Sequence, residues 1–175
     1  EHHAILHCMK ELEVQGFEVT YLQPDELGRI TLESLKAALR PDTILVSIMM
    51  VNNEVGSVMP ISQMAKLTHK ICPNAIFHTD AVQGFGKIPF SAKTLGADLI
   101  SVSSHKVHGP KGCGALYISP KLKSFPPLLF GGGQENSFRS GTEATPAIFG
   151  FAAACEVCKT TLAADIAKET ELLNG

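Results

Sequence analysis

Three polar clusters carry the groups able to do chemistry. Asn52, Asn53 and Glu54 follow the apolar run 43–50. His78, Asp80 and Gln83 surround the end of the run 75–79, and Ser103, Ser104, His105 and Lys106 close the run 98–103. Each run reads as a strand, and in open parallel sheets ligands bind outside the carboxyl ends of strands, where loops and helix N-termini gather. One acid, one lysine, amides, hydroxyls and a histidine are therefore expected to face a common crevice. A carboxylate next to a ring nitrogen favours the protonated ring, which then withdraws electrons. A lysine desolvated beside a cationic ring becomes a nucleophile and general base. With donors for a phosphate added, these are the requirements of pyridoxal phosphate, and the constellation supplies them.

Each member also has an ordinary structural use. An Asp at a strand end starts a turn or caps a helix, and a lone lysine is solvated. His78 reads equally as a buried, satisfied histidine, and His105 and His108 as surface residues of a turn. A metal site from His78, Asp80, His105 and His108 is the other chemical reading. No compact ligand motif accompanies it, and no metal is expected. The run GGGQENSFRSGT over 131–142 is either a flexible loop or a backbone that closely approaches a phosphate or a partner subunit. Cys155 and Cys158 are spaced as CxxC but lie within a helical pattern and lack a second pair, so they are assigned to packing.

The elements that must hold these residues alternate along the chain. Ile5, Leu6, Met9 and Leu12 recur at helical spacing up to Gly16, and residues 17–22 alternate as a strand does. Thr31 caps a helix bearing Leu32, Leu35, Ala38 and Leu39, which Pro41 ends. The run 43–50 predicts a strand buried on both faces. A polar loop, a helix over 62–71, a strand over 75–79, a short helical stretch at 91–95 and a strand over 98–103 follow. Residues 113–118 predict a further strand, antiparallel after the turn HGPKG, and one long helix runs from Thr145 to about Leu173 with Pro146 in its first turn. Strand and loop do not separate over 120–130. The order predicts an α/β fold: a mostly parallel sheet with helices on both faces.

Composition bounds the partners. The 175 residues carry a net charge of -2 with Lys and Arg scattered, which gives no electrostatic footprint for nucleic acid or an anionic membrane. No apolar run of about 20 residues and no signal peptide are evident, so a soluble, cytoplasmic protein is expected. Five dispersed cysteines argue against a disulfide framework. The chain starts without Met inside a helix start, which is read as a fragment.

The segments EHHAILHCMKELEVQGFEVTYL, VNNEVG, FHTDAVQGFGKIP, SVSSHKVHGPKGCGALYI and LFGGGQENSFRSGTEATPAI together resemble the NifS/IscS-type cysteine desulfurases. These belong to the class V aminotransferase group of fold-type I pyridoxal phosphate enzymes. The resemblance implies a partial fold-type I large domain over residues 1–175. It further implies that Lys106 bonds the cofactor and Asp80 pairs with its ring nitrogen. By the same resemblance Asn53 and Gln83 reach its phenolic oxygen, His2 stacks on its ring, and Ser103 and His105 contact its phosphate. Thr142 matches a residue that reaches the phosphate of a neighbouring subunit, which implies a homodimer with shared sites.

Two local departures are Ser104, where the family has Gly, and His108, where a tyrosine is common. The family's phosphate loop is expected upstream of Glu1, and its catalytic cysteine, substrate-carboxylate arginine and small domain downstream of Gly175. The whole protein is then expected to convert L-cysteine to L-alanine and pass the sulfur, as a persulfide, to a protein cysteine for iron–sulfur cluster or thio-cofactor assembly. A sulfur acceptor or scaffold protein would be a partner. Selenocysteine lyase or another class V activity is the alternative within enzymes, and a non-catalytic cofactor-binding or dimerisation module the alternative outside them. The fragment by itself is expected to be inactive.

Overall fold

The structure is a computed structural model in which residues 1–122 and 125–174 are described. Its centre is β2 (Ile76–Asp80), a strand of Ile, Phe, His, Thr and Asp buried over its last four residues. Two strands flank it in parallel: β1 (Leu45–Ser47), with Val46 opposite Phe77, and β3 (Leu99–Ser103), with Asp80 opposite Ser101. β4 (Gly114–Ile118) closes the far edge antiparallel to β3, and the order is β1-β2-β3-β4. Parallel neighbours need crossovers, and helices supply them.

α1 (His3–Val14) and α2 (Leu32–Ala38) precede β1. The side chain of Thr31 caps α2 by accepting the Ser34 amide at 3.1 Å. α3 (Ile61–Ile71) joins β1 to β2. Its buried residues Ile61, Met64, Ala65 and Thr68 repeat at i, i+3, i+4 and i+7, one apolar stripe laid on the sheet. α4 (Ala92–Leu95) joins β2 to β3 and stops at Gly96, whose φ of 81° suits glycine. Phe77, Met64 and Ala65 are fully buried between α3 and the sheet, together with Leu35 and Met50. Burying a side chain such as Phe77 contributes about 1.5–3 kcal/mol.

After β4, α5 (Thr145–Asn174) runs for 30 residues. Its first turns are anchored: Phe151 meets the edge of Phe85 with ring centres 6.1 Å apart. The Cys158 thiol packs beside Gly86, 3.2 Å from where a Cβ would stand. Cys158 is thus a packing residue, as expected, and Cys155 one turn before it is half-buried. Beyond these contacts the helix is largely open, with Phe149 and Leu172 exposed. By length and composition alone it reaches the range of a membrane span, with a mean hydropathy of 1.4 over its most apolar window. Glu156 and Lys159 interrupt the window, so it contains no unbroken apolar run of that length.

Two strand expectations are corrected. Residues 17–22 alternate but form no strand. Alternation needs a neighbouring ladder to become a strand, and none lies beside it. The run 43–50 shrinks to β1, which is an edge rather than a doubly buried strand, with Ile44 and Leu45 exposed. The remaining elements fall within a few residues of expectation, and β4 is antiparallel as expected. Of the ambiguous region 120–130, Lys123 and Ser124 lie outside the described residues, as does Gly175.

Candidate active site

Alternation along β2 sends His78 and Asp80 to one side of the sheet. His78 is clamped across three strands: Nδ1 lies 2.8 Å from Ser47 Oγ on β1, and Nε2 2.9 Å from Ser101 Oγ on β3. Burial lowers its pKa, and the carboxylate of Asp80 opposes that shift. A neutral imidazole has one donor and one acceptor nitrogen, so one serine accepts from it and the other donates to it. This is the satisfied-histidine reading of His78, and it removes His78 from any ligand set. Among the described residues no group of three His, Cys, Asp or Glu is placed to hold a metal.

Asp80 ends β2 and is buried. Its Oδ1 accepts the Val82 amide at 3.0 Å, and its carbonyl accepts the Met50 amide at 2.9 Å. No hydrogen bond among the described residues uses Oδ2, which leaves one carboxylate oxygen for a ligand. Oδ2 is not among the buried atoms left without a partner, so it is open to a ligand rather than stranded in the core.

Glu1 was not anticipated. Although the residue as a whole is exposed, its carboxylate turns inward and accepts the Met49 amide just past β1. Burial there raises its pKa, and the Asp80 charge acts in the same direction. The start of α1 is thereby brought to the carboxyl ends of β1 and β2. His2 follows, capping α1 through Nδ1, which accepts the Ala4 amide at 3.1 Å, and Nε2 makes no hydrogen bond among the described residues.

From β3 the chain enters a tight 3-10 turn, Ser104–Val107, closed by His108 in the left-handed region at φ 64°. Ser103 Oγ lies 2.8 Å from His105 Nδ1. Ser104 is fully buried with no partner for its hydroxyl. A Cβ on Gly109 would stand 2.2 Å from that oxygen, so this turn fits only with glycine at 109. Lys106 is exposed on the turn and has no hydrogen bond or ion pair among the described residues. A free amine therefore stands at the end of the strand next to the one that ends in Asp80.

Other expected residues are held by local partners. Asn53 Nδ2 donates to Glu54 at 2.8 Å. Gln83 Oε1 accepts from Lys87 Nζ at 2.9 Å. Asn52 is structural: its side-chain oxygen accepts the amides of Glu54 and Val55, both at 2.9 Å. Thr142 sits exposed in the glycine loop, and no hydrogen bond joins it to Asp80, Ser103, His105 or Lys106. That loop is ordered by its own bonds, Ser140 Oγ to the Gly132 carbonyl at 2.9 Å and the Gly141 amide to Gln134 Oε1 at 3.2 Å. Ser47 and Ser101, which orient the neighbour of Asp80, were also missed. Their signal was a serine inside an apolar strand, a position that needs a partner across the sheet.

The family description Aminotransferase class-V matches residues 1–174. The chain is 50% identical over 158 residues to the cysteine desulfurase IscS of Methanosarcina thermophila, covering 90% of this chain and 38% of that protein. A solved NifS-like protein superposes with a TM-score of 0.89 at 45% identity, over 93% of this chain and 44% of that one. A structure named SspA in complex with cysteine gives 0.85 at 43% identity, over 89% of this chain and 45% of that one. The chain spans about two fifths of the length of the IscS relative it matches.

Proposed function

The chain belongs to the aminotransferase class-V family, and from that premise we propose that the whole protein is a pyridoxal-phosphate-dependent cysteine desulfurase. It would take L-cysteine and a protein thiol to L-alanine and a protein persulfide, a balanced exchange in which sulfur leaves one carbon and a sulfur–sulfur bond forms. One observation carries the reading: a buried Asp80 with a free carboxylate oxygen and an unpartnered Lys106 stand at the ends of adjacent parallel strands. The donor set fits the cofactor, since an anion for a ring N–H, an unpaired amine and the Ser103–His105 pair for a phosphate lie on β2, β3 and the turn after it.

When bound, the cofactor withdraws electrons from the substrate carbon. Asp80 would accept the ring N–H at Oδ2 while Val82 holds Oδ1 in place. Lys106 would carry protons to and from the substrate's α-carbon, with its stem on a turn fixed by Ser104, Val107 and Gly109. Ser103 and His105 would donate to the phosphate, and charge-assisted bonds of this type are the strong ones. Asn53 and Gln83 would exchange Glu54 and Lys87 for the ligand, and His2 would offer its ring face. Thr142 would complete the phosphate site of a second subunit in a homodimer. Assembly of iron–sulfur or thio-cofactors through a sulfur acceptor, in the cytoplasm, completes the proposal.

Borohydride reduction of the full-length, cofactor-loaded protein, followed by peptide mapping, tests the assignment. The label is expected on Lys106, and Lys106→Ala is expected to abolish alanine release. A label on any other lysine would overturn it.

A further inference from the structure

We propose that His3 and His7 of α1 form a site for one borderline divalent transition-metal ion, of the Zn(II) or Ni(II) class, on the exposed face of the helix that starts at the candidate active site. It is separate from the set His78, Asp80, His105 and His108, which forms no metal-holding group among the described residues.

The spacing supplies the geometry. Residues i and i+4 lie one above the other on a helix, and the zinc motif HExxH uses the same step for its two histidines. In α1 the rings of His3 and His7 have centres 5.5 Å apart and planes inclined at 57°. Two imidazoles that share an ion, each with a nitrogen ~2.0–2.1 Å from the metal, have ring centres ~4.5–5 Å apart at bond angles between a right angle and the tetrahedral one. Both residues are exposed, so a small rotation of either ring closes the difference. Neither makes a hydrogen bond or ion pair among the described residues, so their nitrogens are free for an ion. His2, by contrast, spends Nδ1 on the cap of α1 and stays with the candidate active site.

The ligand count sets the affinity. No third His, Cys, Asp or Glu completes the shell among the described residues, so water fills the other positions. Half the ligand set of a structural zinc site implies a Kd on the order of 1–100 μM. The positive end of the α1 dipole weakens binding by ~2–5-fold. Lys10, three residues beyond His7, acts in the same direction. Glu11, four beyond His7 on the same stripe, opposes both, and only its Oε1 is engaged, by Gln15. Imidazole ligands suit Zn(II) and Ni(II), whereas Mg(II) and Ca(II) take oxygen ligands.

An ion bonded to residues 3 and 7 spans the first turn of α1, the turn that His2 caps and Glu1 ties to Met49. It therefore braces the segment that carries His2 to the ends of β1 and β2. The site does not depend on the reaction assigned to Asp80 and Lys106.

Ni(II) is the probe, because thiolates favour Zn(II) and Cu(I) and the chain holds five cysteines. The full-length, untagged, cofactor-loaded protein is stripped with a chelator and dialysed to equilibrium against Ni(II). It is expected to hold one Ni(II) per chain more than the double variant His3→Gln/His7→Gln, in which glutamine preserves helix propensity. Each single variant is expected to weaken that binding ~10-fold or more. The variant His7→Gln/Cys8→His keeps two histidines in the helix but turns the second ~100° around its axis. It is expected to bind no better than His7→Gln. Three results would each overturn the proposal: no saturable Ni(II) at ~1 mM, tenfold above the weakest expected Kd; equal binding by wild type and double variant, meaning that thiols or the cofactor phosphate hold the ion; or full rescue by Cys8→His, meaning that the i, i+4 face is irrelevant.

Discussion

Asp80 and His78 sit two residues apart on one strand and have opposite tasks. Asp80 keeps one oxygen free, whereas His78 spends both nitrogens on Ser47 and Ser101. The variant Asp80→Asn preserves the shape and the bond from Val82 but removes the charge. Alanine formation by the full-length enzyme is expected to fall by about 10²-fold or more while the cofactor's absorbance shows that it remains bound. His78 controls a pH dependence of stability. Its folded pKa is depressed, so below the unfolded value of 6.5 the unfolded chain binds a proton that the folded chain refuses. Stability is therefore full above that pH and declines as pH falls below it. Glu1, raised by burial, works in the opposite sense, losing stability as pH rises above 4.5. Denaturant midpoints at pH 7.5 and 5.5 are expected to separate for the wild type and to draw together in His78→Gln.

At the scale of elements, the site depends on how closely β3, β4 and the turn after β3 approach one another. A Cβ at Gly114 would stand 2.7 Å from the Val102 carbonyl oxygen, a backbone atom with little room to move. Gly114→Ala is expected to cost about 1–3 kcal/mol by forcing β4 off β3 beside Ser103. Gly133→Ala, with nothing nearer than 3.9 Å, is expected to stay within about 0.5 kcal/mol. Thermal melts of the two variants check both values. Helices were the most legible elements, since α3 and α5 carry long patterns with clear starts. Strands at the sheet edge were the least legible, because pairing rather than pattern decides whether 17–22 and 43–50 become ladders.

For the whole molecule, much apolar surface stands open. Leu128, Phe130 and Phe149 are 91%, 86% and 76% exposed. Because the chain spans 38% of the length of its IscS relative, the 175-residue chain with added pyridoxal phosphate is expected to form no alanine from cysteine above the rate of free cofactor. A rate that disappeared with Lys106→Ala would contradict this. The dimer proposal is checked by mixing full-length Thr142→Ala with full-length Lys106→Ala. If Thr142 acts on the neighbouring subunit, heterodimers regain one working site and activity exceeds that of either parent. No gain on mixing would place Thr142 in its own subunit's site or outside both.

The sequence by itself determined the alternation of helices and strands, the polar clusters at strand ends and the residues able to meet a phosphate-bearing aldehyde cofactor. These are local properties: periodicity, caps and residue chemistry are written within a few positions of one another. Tertiary structure alone decided that Ser47 and Ser101 hold His78 and that Glu1 reaches Met49. The two serine contacts depend on strand register, which brings together residues 31 and 23 positions apart. It is a property of the folded sheet, because a shift of one residue would have sent every one of these side chains to the other face.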